Sequence, residues 1–168
     1  IESVKEFKKI QGVAGCGKTT IIAKRAVNAF KRHSFPVLIL TFNITLRHYI
    51  RDKVSDVREN IGFNSFEITN YHQFFNSQLN NSNIDTSEFR ELNLKKNLSE
   101  KEVLDLIYKT DFFKGRKLKG RKAVKYQTIL VDEIQDYEPE WVKIIRDNFL
   151  DSGGEMILFG DPSQNIYE

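Results

Sequence analysis

Residues 12–19 read Gly-Val-Ala-Gly-Cys-Gly-Lys-Thr, the G-x-x-x-x-G-K-[ST] pattern, between an apolar run and an amphipathic one. The arrangement predicts a strand, a tight loop and a helix in immediate succession. Gly12, Gly15 and Gly17 let the backbone curl so that its N–H groups point inward, at phosphate oxygens. The N-terminus of the next helix adds positive potential at the same point. Lys18 is placed to reach β- and γ-phosphates, and the Thr19 hydroxyl to ligate Mg²⁺. Cys16 and Thr20 complete the expected cradle, Cys16 as a small loop filler. The plain alternative is a glycine-rich turn into a helix. The flanking strand and helix weigh against it.

The rest of the chain alternates in the same way. Consecutive apolar residues bounded by turn residues predict buried parallel strands at Phe7 to Gln11, Val37 to Phe42, Phe66 to Thr69, Thr128 to Val131 and Met156 to Phe159. Helical faces lie between them: Ile22, Ala26, Ala29 and Phe30; Leu46, Ile50, Val54 and Val57; Trp141, Ile145 and Phe149 behind Pro139. Strands alternating with helices predict an α/β fold, with a mostly parallel sheet flanked by helices. Residues 77–126 break the pattern. They are rich in Asn, Lys and Glu, with a capping box at Ser99 to Glu102 and an apolar stripe at Val103, Leu106 and Ile107. We expect a single domain over residues 1–168, with a helical and basic insertion at about 77–126.

Composition narrows the setting. At 168 residues the chain has the size of one domain, and 40% hydrophobic with 29% charged residues excludes general disorder. Its apolar runs are too short to cross a membrane. One cysteine cannot form an internal bridge, so a reducing compartment is expected: the cytoplasm, or the nucleus in a eukaryote. The net charge of +3 permits nucleic acid as a partner without requiring it. Lys114 to Lys125 holds seven basic residues and no acidic one, as a solvated loop or as a nucleic-acid contact.

Two further motifs follow apolar strands. Asp132-Glu133 closes Thr128 to Val131. Ligands of open α/β sheets bind outside the carboxyl ends of strands, so Asp132 is a candidate to hold Mg²⁺ and Glu133 to activate water. Phe159-Gly160-Asp161-Pro162-Ser163-Gln164 follows the last strand. Gln164, an uncharged donor and acceptor, can sense a γ-phosphate.

Together these residues resemble the first motor domain of superfamily 1 helicases, in the UvrD/Rep-like branch. Gln11 to Thr20 resembles motif I, and Leu40-Thr41-Phe42-Asn43 with Leu46 resembles motif Ia. Thr69-Asn70-Tyr71-His72-Gln73-Phe74 is similar to motif Ib, with Gln73 where the pattern has Ser. Val131 to Asp136 resembles motif II, and Gly160 to Tyr167 motif III. The resemblance implies a RecA-like fold of the P-loop class. It implies ATP and Mg²⁺ as cofactors, held and hydrolysed through Lys18, Thr19, Asp132 and Glu133. Gln164 would link the γ-phosphate to a single-stranded nucleic acid, DNA by the family's habit. Thr41, Phe42, Asn43, Tyr71, His72 and Phe74 would line that strand's path. Core packing is the competing reading for each aromatic. The resemblance also implies a second motor domain of the same polypeptide, this chain being truncated after motif III. A self-sufficient PhoH-like ATPase and a non-catalytic nucleotide-binding module are the alternatives. A nucleoside kinase is more distant.

Overall fold

A computed structural model describes residues 6–11, 17–42, 44–81, 91, 102 and 124–160. Five strands form one sheet: β1 (Glu6–Gln11), β2 (Val37–Thr41), β3 (Phe66–Asn70), β4 (Tyr126–Val131) and β5 (Leu150–Gly160). Their order is β1-β5-β4-β2-β3, and every neighbouring pair is parallel. Parallel strands need crossovers, and helices supply them. These are α1 (Lys18–His33), α2 (Ile44–Val57), α3 (Tyr71–Asn81) and α4 (Pro139–Phe149).

Side chains alternate across the sheet and build a core on each face. On one face Ile39, Leu130, Ile157 and Phe159 meet Ile22, Ala23 and Ala26 of α1 and Ile50 and Val54 of α2. On the other, Leu38, Leu40, Ile129, Val131 and Leu158 meet Phe74 and Phe75 of α3 and Trp141, Ile145 and Phe149 of α4. Small residues on α1 let that helix lie close to the central strands. Both faces of the central strands are covered, which explains why Val37 to Leu40, Ile129 to Val131 and Met156 to Phe159 read as unbroken apolar runs rather than alternating ones.

Local chemistry sets the helix ends. Gly17, with φ 80°, turns the chain into α1, and Ser34 closes it in the left-handed region with its N–H on the Phe30 carbonyl, 2.8 Å away. The Asn70 carboxamide accepts the Gln73 N–H at 2.8 Å and caps α3. Pro139 occupies the first turn of α4.

All five expected strands are present, with three adjustments. The last strand begins at Leu150, not Met156. It pairs Leu150 with Tyr126 and then Glu155 with Thr128, so residues 151–154 bulge out. The Asp151 carboxylate fastens this bulge by accepting from Gln127 Nε2 at 3.1 Å and from the Gly153 N–H at 3.4 Å. Polar residues in a bulge hide a strand from a hydrophobicity reading. Second, α3 continues to Asn81, through residue 77, where the insertion was expected to open. Third, Tyr126, expected inside the insertion, is a buried β4 residue. Burial and the hydrogen bond it donates to Glu67 push its phenol pKa up. The capping box and stripe at 99–107 and the basic run up to residue 123 otherwise lie outside the described residues. Among the described residues, no helix is long and apolar enough to cross a membrane.

Candidate active site

Three side chains from distant parts of the chain meet at the carboxyl edge of the sheet. Lys18 Nζ lies 3.3 Å from Asp132 Oδ1 and 3.3 Å from Glu133 Oε1. Lys18 opens α1, which packs across β4 through Leu130, and this brings it over the end of that strand. Asp132 is fixed by the ladder itself. Its N–H bonds to the Leu40 carbonyl at 2.8 Å, one residue beyond the last β2–β4 pair. Asp132 Oδ1 also accepts the Glu133 N–H at 2.8 Å.

Glu133 itself has φ 54°, in the left-handed region. Such a backbone costs a non-glycine residue about 1 kcal/mol or more, and it turns the chain sharply off the strand. A short 3₁₀ turn, Ile134–Asp136, follows. The Asp136 N–H bonds to the Glu133 carbonyl at 2.9 Å and the Tyr137 N–H to the Ile134 carbonyl at 3.1 Å. Tyr137 donates its hydroxyl to the Thr41 carbonyl at 2.8 Å, tying this turn to the end of β2.

The electrostatics are those of a partly dehydrated charge cluster. Burial works against the Lys18 ammonium, but the Asp132 and Glu133 carboxylates outweigh it and hold its pKa above the ordinary lysine value. Asp132 is 1% exposed, and burial raises its pKa despite the opposing pull of Lys18. Desolvation costs the nearly inaccessible carboxylate more than the ammonium, so both pKa values lie on the raised side. Asp136 is raised too, by burial and then by the Glu133 charge.

The donor set fits a phosphate and a hard cation. Asp132 Oδ2 is buried and has no hydrogen-bond partner among the described residues. Lys18 is an ammonium with carboxylates as its only ion-pair partners among the described residues. Thr19, partly buried, adds a hydroxyl one residue on. Among the described residues no cluster of three or more His, Cys, Asp or Glu side chains could hold a metal. A cation here would therefore draw on phosphate oxygens besides Asp132 and Thr19, as Mg²⁺ does with nucleotides.

Of the expected site residues, the structure brings Lys18, Asp132 and Glu133 together, with Gly17, Thr19 and Thr20 beside them in sequence. Gly12, Gly15, Cys16, Asn43 and Gln164 lie outside the described residues. The expected strand-path residues divide. Tyr71 and Phe74 are each 1% exposed and Thr41 is fully buried. These three belong to the core. Tyr71 stacks on Trp141 at 5.1 Å and Phe74 packs edge-on against Phe149 at 5.0 Å, leaving neither ring a face for a base. Phe42 and His72 are only partly buried and lie edge to face, 6.2 Å apart. The sequence reading held Gln135 within the Val131 to Asp136 motif without giving it a role, and Tyr137 escaped it. Gln135 donates from Nε2 to Glu133 Oε2, and Tyr137 links the turn to β2. Their positions two and four residues after Glu133 were the available signal.

A parallel α/β sheet with a lysine from the first crossover helix against acids at a central strand end defines a P-loop nucleotide-binding fold. The sequence matches the AAA domain family over residues 2–168, and the chain belongs to it. It is thus a nucleotide-binding domain of the P-loop ATPase type. No curated protein matches the chain.

Gly160 closes β5 directly against this turn. A Cβ there would stand 2.4 Å from Ile134 Cγ2 and 3.3 Å from Gln135 Oε1. Gly160→Ala is expected to cost about 1–3 kcal/mol through overpacking. Chemical denaturation of the free protein checks this, and wild-type stability would show that the turn yields freely.

Proposed function

We propose that this chain is the first motor domain of a superfamily 1 helicase of the UvrD/Rep-like branch. It would couple ATP hydrolysis to movement along single-stranded nucleic acid, with a second motor domain of the same polypeptide completing the site. The observation that carries the ATPase part is the contact of Lys18 with both Asp132 and Glu133. The helicase part rests on the ordered motifs, Val131 to Asp136 and Gly160 to Tyr167 above all.

The residues divide the work. Bound Mg²⁺-ATP would supply the scissile phosphoanhydride bond and neutralise its developing charge. Lys18 would exchange its carboxylate partners for phosphate oxygens. Thr19 and Asp132 would hold the cation, Asp132 through its free buried oxygen. Glu133 would orient a water and take its proton at a carboxylate oxygen. Gln164 would report the γ-phosphate to the strand path.

For that path, Phe42 and His72 are the supported candidates. Base–aromatic stacking is worth about 1–3 kcal/mol per base. Phe42→Ala and His72→Ala are each expected to weaken single-stranded DNA binding by about tenfold. Both rings also touch the core, Phe42 at Tyr137 and His72 at Trp141, so each change should cost some stability, less than loss of a fully buried ring does. Phe74→Ala should instead cost about 3–5 kcal/mol of stability. Fluorescence anisotropy with a labelled oligonucleotide, beside thermal melts, separates the two classes. Unchanged affinity in both Phe42→Ala and His72→Ala would remove these rings from the strand path.

A further inference from the structure

We propose that Gln135 is the positioning residue that keeps the Glu133 carboxylate aimed once Lys18 has turned to phosphate. The inference rests on the reading of Glu133 as the water-activating base.

Glu133 is held at both carboxylate oxygens. Oε1 faces Lys18 Nζ at 3.3 Å, and Oε2 accepts from Gln135 Nε2. The two restraints differ in permanence. Lys18 is the group that a phosphate would claim, because phosphate oxygens compete with the two carboxylates for the same ammonium. Gln135 is neutral and has no such competitor. Its orientation is also settled by chemistry, since only the amide nitrogen can donate to a carboxylate. This turns Gln135 Oε1 inward, where it is buried without a hydrogen-bond partner among the described residues, towards Gly160.

The carrier of Gln135 is rigid. Ile134 before it and Tyr137 after it are each 2% exposed and sit in the core. The turn between them is closed by the Asp136 and Tyr137 N–H bonds. Glu133, by contrast, is 22% exposed and has three rotatable side-chain bonds. Without the amide, loss of Lys18 would leave its carboxylate free to swing, and a misplacement of about 1 Å can cost on the order of 10²-fold in rate.

The test compares Gln135→Leu, Gln135→Glu and Glu133→Gln. Gln135→Glu keeps the shape of the side chain but replaces its donor with a second carboxylate. With the second domain supplied, single-turnover hydrolysis at saturating Mg²⁺-ATP should fall roughly 10- to 100-fold in both Gln135 variants, with the Mg²⁺-ATP affinity of Gln135→Leu within about twofold of wild type. A purely structural role would move affinity and melting temperature together with rate. In the nucleotide-free protein, the Gln135 side-chain amide protons should resonate away from exposed glutamines, and Glu133→Ala should shift them. Gln135→Glu at the wild-type rate, while Glu133→Gln is slow, would overturn this proposal alone. Equal rates in wild type and Glu133→Gln would overturn the base assignment and the proposal with it. An amide signal indifferent to Glu133→Ala would show that the contact is not made in solution.

Discussion

Lys18→Ala is expected to lower Mg²⁺-ATP affinity by about 10²- to 10⁴-fold. Lys18 is placed for charge-assisted bonds to two phosphates, each worth about 1.5–3 kcal/mol. Isothermal calorimetry measures this, and a folded variant with wild-type affinity would remove Lys18 from the site. The same change should alter stability in a pH-dependent way. Lys18 opposes the burial that raises the Asp132 pKa. Removing it lets that pKa rise further above the unfolded value. A carboxyl raised in this way favours the fold while protonated and loses that contribution as pH climbs through its folded pKa. The variant's deficit should therefore be small near pH 4 and grow towards pH 8. Leaving a buried charge unpaired costs about 3 kcal/mol at the lower end of the usual range, or roughly 6–12 °C in a domain of this size. Melts at the two pH values check the sign. A deficit larger at pH 4 would contradict it.

The second large effect concerns turnover. Phosphate positioning, metal and water activation reside in Lys18, Thr19, Asp132 and Glu133. In the proposed motor reading, an arginine facing the γ-phosphate comes from the second domain, and such a residue is worth roughly 10³- to 10⁵-fold in related enzymes. These 168 residues should then bind Mg²⁺-ATP but hydrolyse it slowly, with little stimulation by single-stranded DNA. Supplying the second domain should restore the rate. Glu133→Gln should abolish the restored activity while sparing binding. Brisk, strand-stimulated hydrolysis by this chain alone would favour the self-sufficient ATPase instead.

The strands were legible because burial on both faces writes them as continuous apolar runs, as in Val37 to Leu40 and Ile129 to Val131. The contact of Lys18 with Asp132 and Glu133 was legible for a related reason. Each group ends or follows a buried strand, and parallel topology puts all such ends on one edge. Tyr71 and Phe74 were harder. An aromatic that stacks on a base and one that fills a core look alike in sequence, and only the packing of α3 on Trp141 and Phe149 separates them. Asp151 to Gly154 bulge from β5, and without an apolar run there the start of the strand at Leu150 left no mark in the sequence. The contact of Gln135 with Glu133 and the left-handed backbone of Glu133 depend on a turn closed by the Asp136 and Tyr137 N–H bonds, and periodicity carries no trace of that.

The central claim is that Lys18, Thr19, Asp132 and Glu133 form one metal–nucleotide site. Its most direct test is to titrate the isotopically labelled protein with ATP and a trace of Mn²⁺ and follow paramagnetic broadening of backbone amides. Early loss of the Lys18, Thr19, Asp132 and Glu133 signals is expected, while Asn28 and Lys31, which line a separate surface groove between α1 and the end of α2, broaden only later. Broadening centred on that groove, or spread evenly over the surface, would contradict it.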